Sequence, residues 1–188
     1  ALRFTWLTRF YDQLMRATLR EDEFKSRLVT QAGLRPGQRV LDLGCGTGTL
    51  TLLLKQGCPG AHVAGLDGDR SILERARVKA AAQGVEIDFW QGLATDPPSG
   101  PESFDRVVSS LLFHHLLPAD KKRALARVFA LLKPDGELHV ADWGRPHNLP
   151  LRAAFLVVQV LDGFATTTDT ARGLLPAYMR EAGFVHVA

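Results

Sequence analysis

Val40-Leu-Asp-Leu-Gly-Cys-Gly-Thr-Gly48 is the stretch on which the fold turns. Arg39 to Leu43 is a short apolar run with little alternation, as expected of a parallel strand buried on both faces. Three glycines at alternate positions follow at once, and Leu50 to Leu54 then carries an apolar helical stretch that ends near Gly57. Strand, glycine turn and helix in immediate succession form the unit with which an α/β sheet brings its backbone close to a ligand.

Working outward, His62 to Leu66 reads as a second strand with Asp67 at its carboxyl end. Ser71 followed by Glu74 predicts a capping box for a helix that stops by Gly84. Val85 to Trp90, Phe104 to Ser109 and Gly136 to Ala141 read as the third, fourth and fifth strands. Leu125, Val128, Phe129 and Leu132 make the apolar stripe of a helix closed by Lys133-Pro-Asp-Gly136. Before the sheet, residues 1–33 read as two cap helices, one carrying Trp6, Leu7, Phe10, Tyr11, Leu14 and Met15, the other Phe24, Leu28 and Val29. After it, Asn148 to Gly173 is apolar and then threonine-rich, which suggests a lid over a substrate; a last helix follows from Leu175 to Ala182, and Phe184 to Val187 opens a final strand. The expected architecture is a doubly wound, Rossmann-like, mostly parallel sheet with helices on both faces, formed by one domain.

Composition agrees with that reading. The 188 residues are 46% hydrophobic and 23% charged, which excludes disordered and fibrous classes. The longest apolar run, Ala153 to Val158, is far too short to span a bilayer, so the chain reads as soluble. A net charge of +3 is too mild to argue for nucleic acid. Cys45 and Cys58 make neither a disulfide framework nor a paired zinc pattern, and a reducing, cytoplasmic compartment is the simpler expectation. The chain starts at Ala1 without a Met, which leaves the original N-terminus, and any removed targeting segment, open.

An acid at the tip of the next strand can hold a ribose, and Asp67 comes about 20 residues after the glycine turn, the spacing for that role. A nucleoside-containing cofactor is expected. The dinucleotide fingerprint requires a third glycine where Thr49 stands, which counts against a nicotinamide oxidoreductase, and no Gly-Lys-Ser/Thr ends the turn as in a phosphate-binding loop.

Residues 40–48 resemble motif I of the class I S-adenosylmethionine-dependent methyltransferases. The resemblance continues through Gly65-Leu-Asp67, Phe104 to Leu116, Arg127 to Asp142 and Leu175 to Phe184, and is nearest to the small-molecule branch that includes ubiquinone and menaquinone biosynthesis methyltransferases. It implies S-adenosylmethionine as cofactor and in-line methyl transfer to a small molecule. Asp67 would take both ribose hydroxyls, Gly44 and Gly46 would leave room for the methionine part, and Asp42 would reach its ammonium. Tyr11 resembles the tyrosine of an N-terminal helix that closes over the cofactor. The acid usual after the third strand is replaced in Gly92-Leu-Ala94, so Leu93 would hold adenine by apolar contact, with backbone groups near Ala94. Cys45 in the turn, Gly68 beside Asp67, and Ser109 and Ser110 ending the fourth strand complete the expected cofactor-binding set.

His114 and His115 are the candidate catalytic residues, since a histidine near neutral pKa at the end of a central strand can take a proton from a nucleophile. Adjacent side chains diverge, so one at most is expected to face the ligand, and a backbone-bonded histidine that shapes the pocket is the alternative. Asp142-Trp143, at the tip of the fifth strand, either lines the pocket or packs. Asp96-Pro-Pro-Ser99 reads as a turn, and Lys121-Lys-Arg123 as a solvated helix face. No carboxylate trio follows the fourth strand and the cysteines offer no soft ligand set, so no metal is expected. A sulfonium methyl is already activated, so a catalytic side chain is optional. The family's seventh strand is missing, which predicts either a shortened chain or a sheet edge completed by another copy, a homodimer. A non-catalytic S-adenosylmethionine-binding regulator or scaffold would share every cofactor residue.

Overall fold

The computed structural model describes residues 21–187. The first expected cap helix, with Tyr11, lies outside the described residues. The order is α1 (Glu21–Ala32), β1 (Arg39–Leu43), α2 (Thr49–Gly57), β2 (His62–Asp67), α3 (Arg70–Ala82), β3 (Asp88–Gln91), β4 (Phe104–Ser110), a 3-10 turn (Phe113–His115), α4 (Pro118–Leu131), β5 (Leu132–Ala141), α5 (Leu149–Asp162), α6 (Phe164–Ala171) and α7 (Leu175–Glu181). The strands form one sheet in the order β3-β2-β1-β4-β5, every pair parallel. The strand order reverses between β1 and β4, and such a reversal opens a crevice at the carboxyl ends of the strands.

Alternate residues of β1 serve the two faces of the sheet. Val40, with Val63 and Val108, packs against Leu28 and Ala32 of α1 and Leu50 and Leu54 of α2. Leu41 and Leu43, with Leu66, Phe104 and Val107, pack against Ala124, Leu125, Val128 and Leu131 of α4, with α7 laid over them. Phe89 of β3 joins Leu73, Ala76 and Ala80 of α3 and Leu52 of α2 in a third cluster. These faces bury on both sides of the central strands, which is why β1 reads as a continuous apolar run. No helix among the described residues is long and apolar enough to cross a membrane.

Several local expectations are corrected. The N-cap of α3 is Asp69, whose carboxylate accepts from the amides of Ser71 and Ile72, not Ser71. The third strand starts at Asp88 because the Val85 amide is drawn to the Ala80 carbonyl at the end of α3. The fifth strand begins at Leu132, directly where α4 ends, and absorbs Pro134 and Asp135 through a register shift opposite Phe104 and Arg106, with Asp135 at φ 63°. Phe184 to Val187 is not a strand. The Phe184 amide turns back to the Met179 carbonyl, its ring meets Phe129 edge-on at 5.3 Å, and Arg180 donates to the Val187 carbonyl, so the segment folds onto α7 and α4 instead of pairing with β5.

Lys121 is also not solvated, although Lys122 and Arg123 are. Its side chain is 1% exposed and donates to Asp169 (2.6 Å), the Thr166 carbonyl (2.7 Å) and Thr170 (3.1 Å). The expected lid is thereby tied down. α5 and α6 are helices, and α6 is clamped onto α4 by a buried ion pair.

Candidate active site

The turn after β1 is built by backbone. Gly44, Gly46 and Gly48 have φ of 74°, 53° and 73°, left-handed values that favour glycine. The amides of Gly44 and Cys45 both donate to the Leu66 carbonyl, which sews the turn to β2. A Cβ on Gly44 would come within 2.8 Å of Leu112, so the residue leading into the 3-10 turn rests directly on the glycine turn. A Cβ on Gly46 would meet nothing within 4 Å among the described residues, which leave the turn open on that side. Gly48 is the N-cap of α2 and brings no side chain to its first amides.

Two carboxylates flank this opening. Asp42 is fully buried; its Oδ2 accepts from Thr51 Oγ1 at 2.6 Å, while Oδ1 has no partner among the described residues. Burial pushes its pKa up to about 6, against the lowering effect of the Thr51 hydroxyl. Asp67 accepts from the Gly46 amide through Oδ2 and from the Asp69 amide through Oδ1, both at 2.9 Å, which fixes the carboxylate at the tip of β2 with lone pairs to spare. Leu93 is 65% exposed, and its side chain lies over Gly68. Ala94 packs at the edge of the core. Cys45 is buried, burial pushes its thiol well up, and it acts as a small apolar side chain. The Ser109 hydroxyl is buried and donates to the Leu43 carbonyl at 2.8 Å, bracing β4 to β1; Ser110 is half-buried at the strand end.

Across the crevice, Leu111 at φ 54° turns the chain from β4 into the 3-10 turn. Asp142, just past β5, caps that turn by accepting from the Phe113 amide (2.7 Å) and the His114 amide (3.3 Å) through Oδ2. Its Oδ1 lies 2.7 Å from His114 Nδ1. Burial raises the Asp142 carboxyl, but the bonds from the His114 ring and the Trp143 and Phe113 amides outweigh it and hold the group below the usual carboxylate range. An ionised carboxylate only accepts, so His114 carries a proton on Nδ1. His114 is buried; His115 is 55% exposed, and the two rings lie with centroids 3.9 Å apart. Trp143 meets Phe155 of α5 edge-on at 6.0 Å, closing the site from the lid side.

Sequence reasoning placed Asp142 near the pocket but not against His114, and missed Asp162 altogether. The last residue of α5 brings its carboxylate 3.8 Å from His114 Nε2 and 3.9 Å from His115 Nδ1. No local pattern announces a contact across nearly fifty residues; a lone acid closing an apolar helix was the one available sign.

Known proteins share this arrangement of strands and turn. Residues 40–136 match the family model described as a methyltransferase domain. An uncharacterized methyltransferase of Synechocystis sp. is 35% identical over 167 residues, 89% of this chain and 76% of that protein. A demethylmenaquinone methyltransferase of Thermus thermophilus is 37% identical over 123 residues, 65% of this chain, which spans 55% of that enzyme's length. The solved YcgJ protein of Bacillus subtilis superposes with a TM-score of 0.62 at 29% identity, over 71% of this chain and 56% of that one.

Proposed function

Because this chain belongs to the methyltransferase-domain family, the S-adenosylmethionine-dependent class with this doubly wound fold, we propose that residues 40–68 hold S-adenosylmethionine and that its methyl passes to a small-molecule acceptor bound between the 3-10 turn, Asp142-Trp143 and α5. The observation that carries the reading is the buried Asp42 Oδ1, unpartnered among the described residues, beside a glycine turn that those residues leave open at Gly46. An orphaned carboxylate oxygen is costly unless a ligand completes it. The donor set is acidic and the turn uncharged, which suits a cationic, phosphate-free nucleoside, so the residues present fit this cofactor.

When bound, S-adenosylmethionine supplies a methyl group activated on a sulfonium. Asp42 then receives the ammonium of the methionine part, Asp67 the ribose hydroxyls, and Leu93 above Gly68 one face of the adenine. Gly44, Cys45, Gly46 and the Ser109–Ser110 end of β4 shape the floor. Leu112, Phe113, Trp143 and Phe155 exclude water from the acceptor side. His114 and His115 address the acceptor's nucleophilic atom. Holding donor and acceptor in line is worth ~7–11 kcal/mol of barrier, so positioning carries most of the rate. Residues 148–173 form the acceptor lid, whose uncovered Leu149, Val157, Val160 and Phe164 suit an apolar molecule. The Thermus relative, by its name, acts on demethylmenaquinone, which supports an aromatic acceptor of that kind. The reading includes a cytoplasmic setting, no nucleic-acid partner, and a second copy on the outer edge of β5.

Calorimetric titration with S-adenosylmethionine, S-adenosylhomocysteine and NAD tests it. We expect both adenosyl ligands to bind, NAD not to, and Asp67→Ala to weaken binding at least tenfold. Binding of NAD alone would overturn the assignment.

A further inference from the structure

Asp142 on one nitrogen of His114 leaves the other unexplained. With Nδ1 engaged by Asp142, the group that Nε2 faces is the Asp162 carboxylate, 3.8 Å away. That separation is too long for a hydrogen bond. His115 Nδ1 stands at a similar distance, 3.9 Å, from the second oxygen of the same carboxylate. One ligand atom from each of His114, His115 and Asp162 lies within 4.8 Å of the other two.

We propose that His114 Nε2, His115 Nδ1 and Asp162 bind a divalent transition-metal ion of the zinc class, whose open position takes an ionised phenolic or enolic oxygen of the acceptor. A tetrahedral ion with bonds of about 2.0–2.2 Å needs ligand atoms roughly 3.4 Å apart, so the three ligand atoms, one from each residue and within 4.8 Å of one another, draw in by at most about 1.4 Å as the ion binds. Three protein ligands leave the fourth position for substrate, the pattern of catalytic rather than structural zinc. Two imidazoles and one carboxylate favour zinc-class ions over magnesium, which prefers oxygen and water. Asp142 is the outer carboxylate such a site requires: it fixes the tautomer and orientation of a ligating histidine through the nitrogen that does not bind metal. The place is right as well, because Leu112, two residues before His114, touches the turn that holds the cofactor.

The proposal rests on the methyltransferase reading and says how the histidines act on the acceptor: as ligands, not as a base. Binding to the ion releases the acceptor's O–H proton to solvent. The S–CH3 bond then breaks with its electron pair left on sulfur, and the methyl bonds either to that oxygen or to a ring carbon conjugated with it, which afterwards loses its hydrogen as a proton while the oxygen takes one proton back from solvent on leaving the ion. In both cases acceptor and S-adenosylmethionine give methylated acceptor, S-adenosylhomocysteine and one proton.

The test uses the whole chain without an affinity tag, stripped with a chelator. Zn2+ is titrated by calorimetry and Co2+ by its visible absorption, with Mg2+ as comparison and S-adenosylhomocysteine binding as the measure of an intact cofactor site. We expect one Zn2+ or Co2+ per chain, no Mg2+ at equal concentration, and affinity at least tenfold weaker in His115→Ala and in Asp162→Asn. Asp142→Asn should weaken it 10–100-fold while S-adenosylhomocysteine still binds. His115 is half exposed, so its removal leaves a folded chain even should Asp162→Asn fail to fold. A chain that binds S-adenosylhomocysteine but no metal, or metal binding unchanged in His115→Ala, overturns the proposal and leaves His114 as a proton acceptor. Metal binding without S-adenosylhomocysteine binding would instead sink the methyltransferase reading and keep the site.

Discussion

Asp42 binds its proton more tightly in the folded chain, where burial pushes its pKa to about 6 from an ordinary 3.8. The folded state therefore holds the extra proton between those values, and stability falls as pH rises from about 4 through 6, then levels off. Two pKa units correspond to a loss on the order of 3 kcal/mol. Urea unfolding from pH 3.5 to 8 should show that slope in the parent chain and not in Asp42→Asn, which keeps an acceptor for Thr51; the variant should be the more stable of the two at pH 7 and bind S-adenosylmethionine more weakly. The glycines separate in a similar way. Gly44→Ala combines a left-handed φ with a 2.8 Å clash against Leu112 and should cost well over the ~1–2 kcal/mol of conformational strain, read by thermal unfolding. Gly46→Ala meets no atom of the described residues and should cost only that strain, while on the proposed reading its methyl enters the ligand's space, so cofactor affinity should fall more than stability does. The placing of Asp42, the glycine turn and Asp67 together was legible because it is local: an acid, a turn and a second acid at fixed spacing. The place of Asp162 beside the two histidines was not, since it arises only once α5 has folded back over the 3-10 turn.

α4 shows where periodicity misleads at the level of elements. Lys121 belongs to a basic triplet that reads as a solvated face, but α6 lies across it and its ammonium is the clamp. Asp169→Ala would leave that ammonium buried without its counter-charge, and a loss of about 3–5 kcal/mol is expected by chemical denaturation, with faster hydrogen exchange in α6 than in the β1–β4 centre. Asp169 accepts from Lys121 across 48 residues, so nothing near either residue in the chain betrays the pair. The last segment misleads differently. Phe184 and Val187 have strand composition, but Gly183 at φ 108° reverses the backbone and Phe129, exposed on α4, offers a nearer apolar partner than the sheet edge. β1, β2 and β4 were read correctly to within a residue, because strands buried on both faces have no competing use for their side chains.

At the scale of the molecule, β5 pairs with β4 on one side, and among the described residues no strand pairs with its other side. An open parallel edge invites pairing. Light scattering on the purified chain is expected to give twice the mass of one copy; a single-copy mass would refute the second copy on that edge.

The sheet order carries one more consequence. On the proposed reading, β3, β2 and β1, with every residue assigned to the donor except Ser109 and Ser110 at the end of β4, come from the chain before Gly100, while the acceptor side is furnished by the residues beyond it, and the two halves meet along the β1–β4 seam. One exposed stretch around Gly100 and Pro101 joins them. Reagent choice and target choice are thus heritable as separate blocks, and a crossover in that stretch between two such enzymes would exchange the molecule being marked while leaving the marking chemistry where it was.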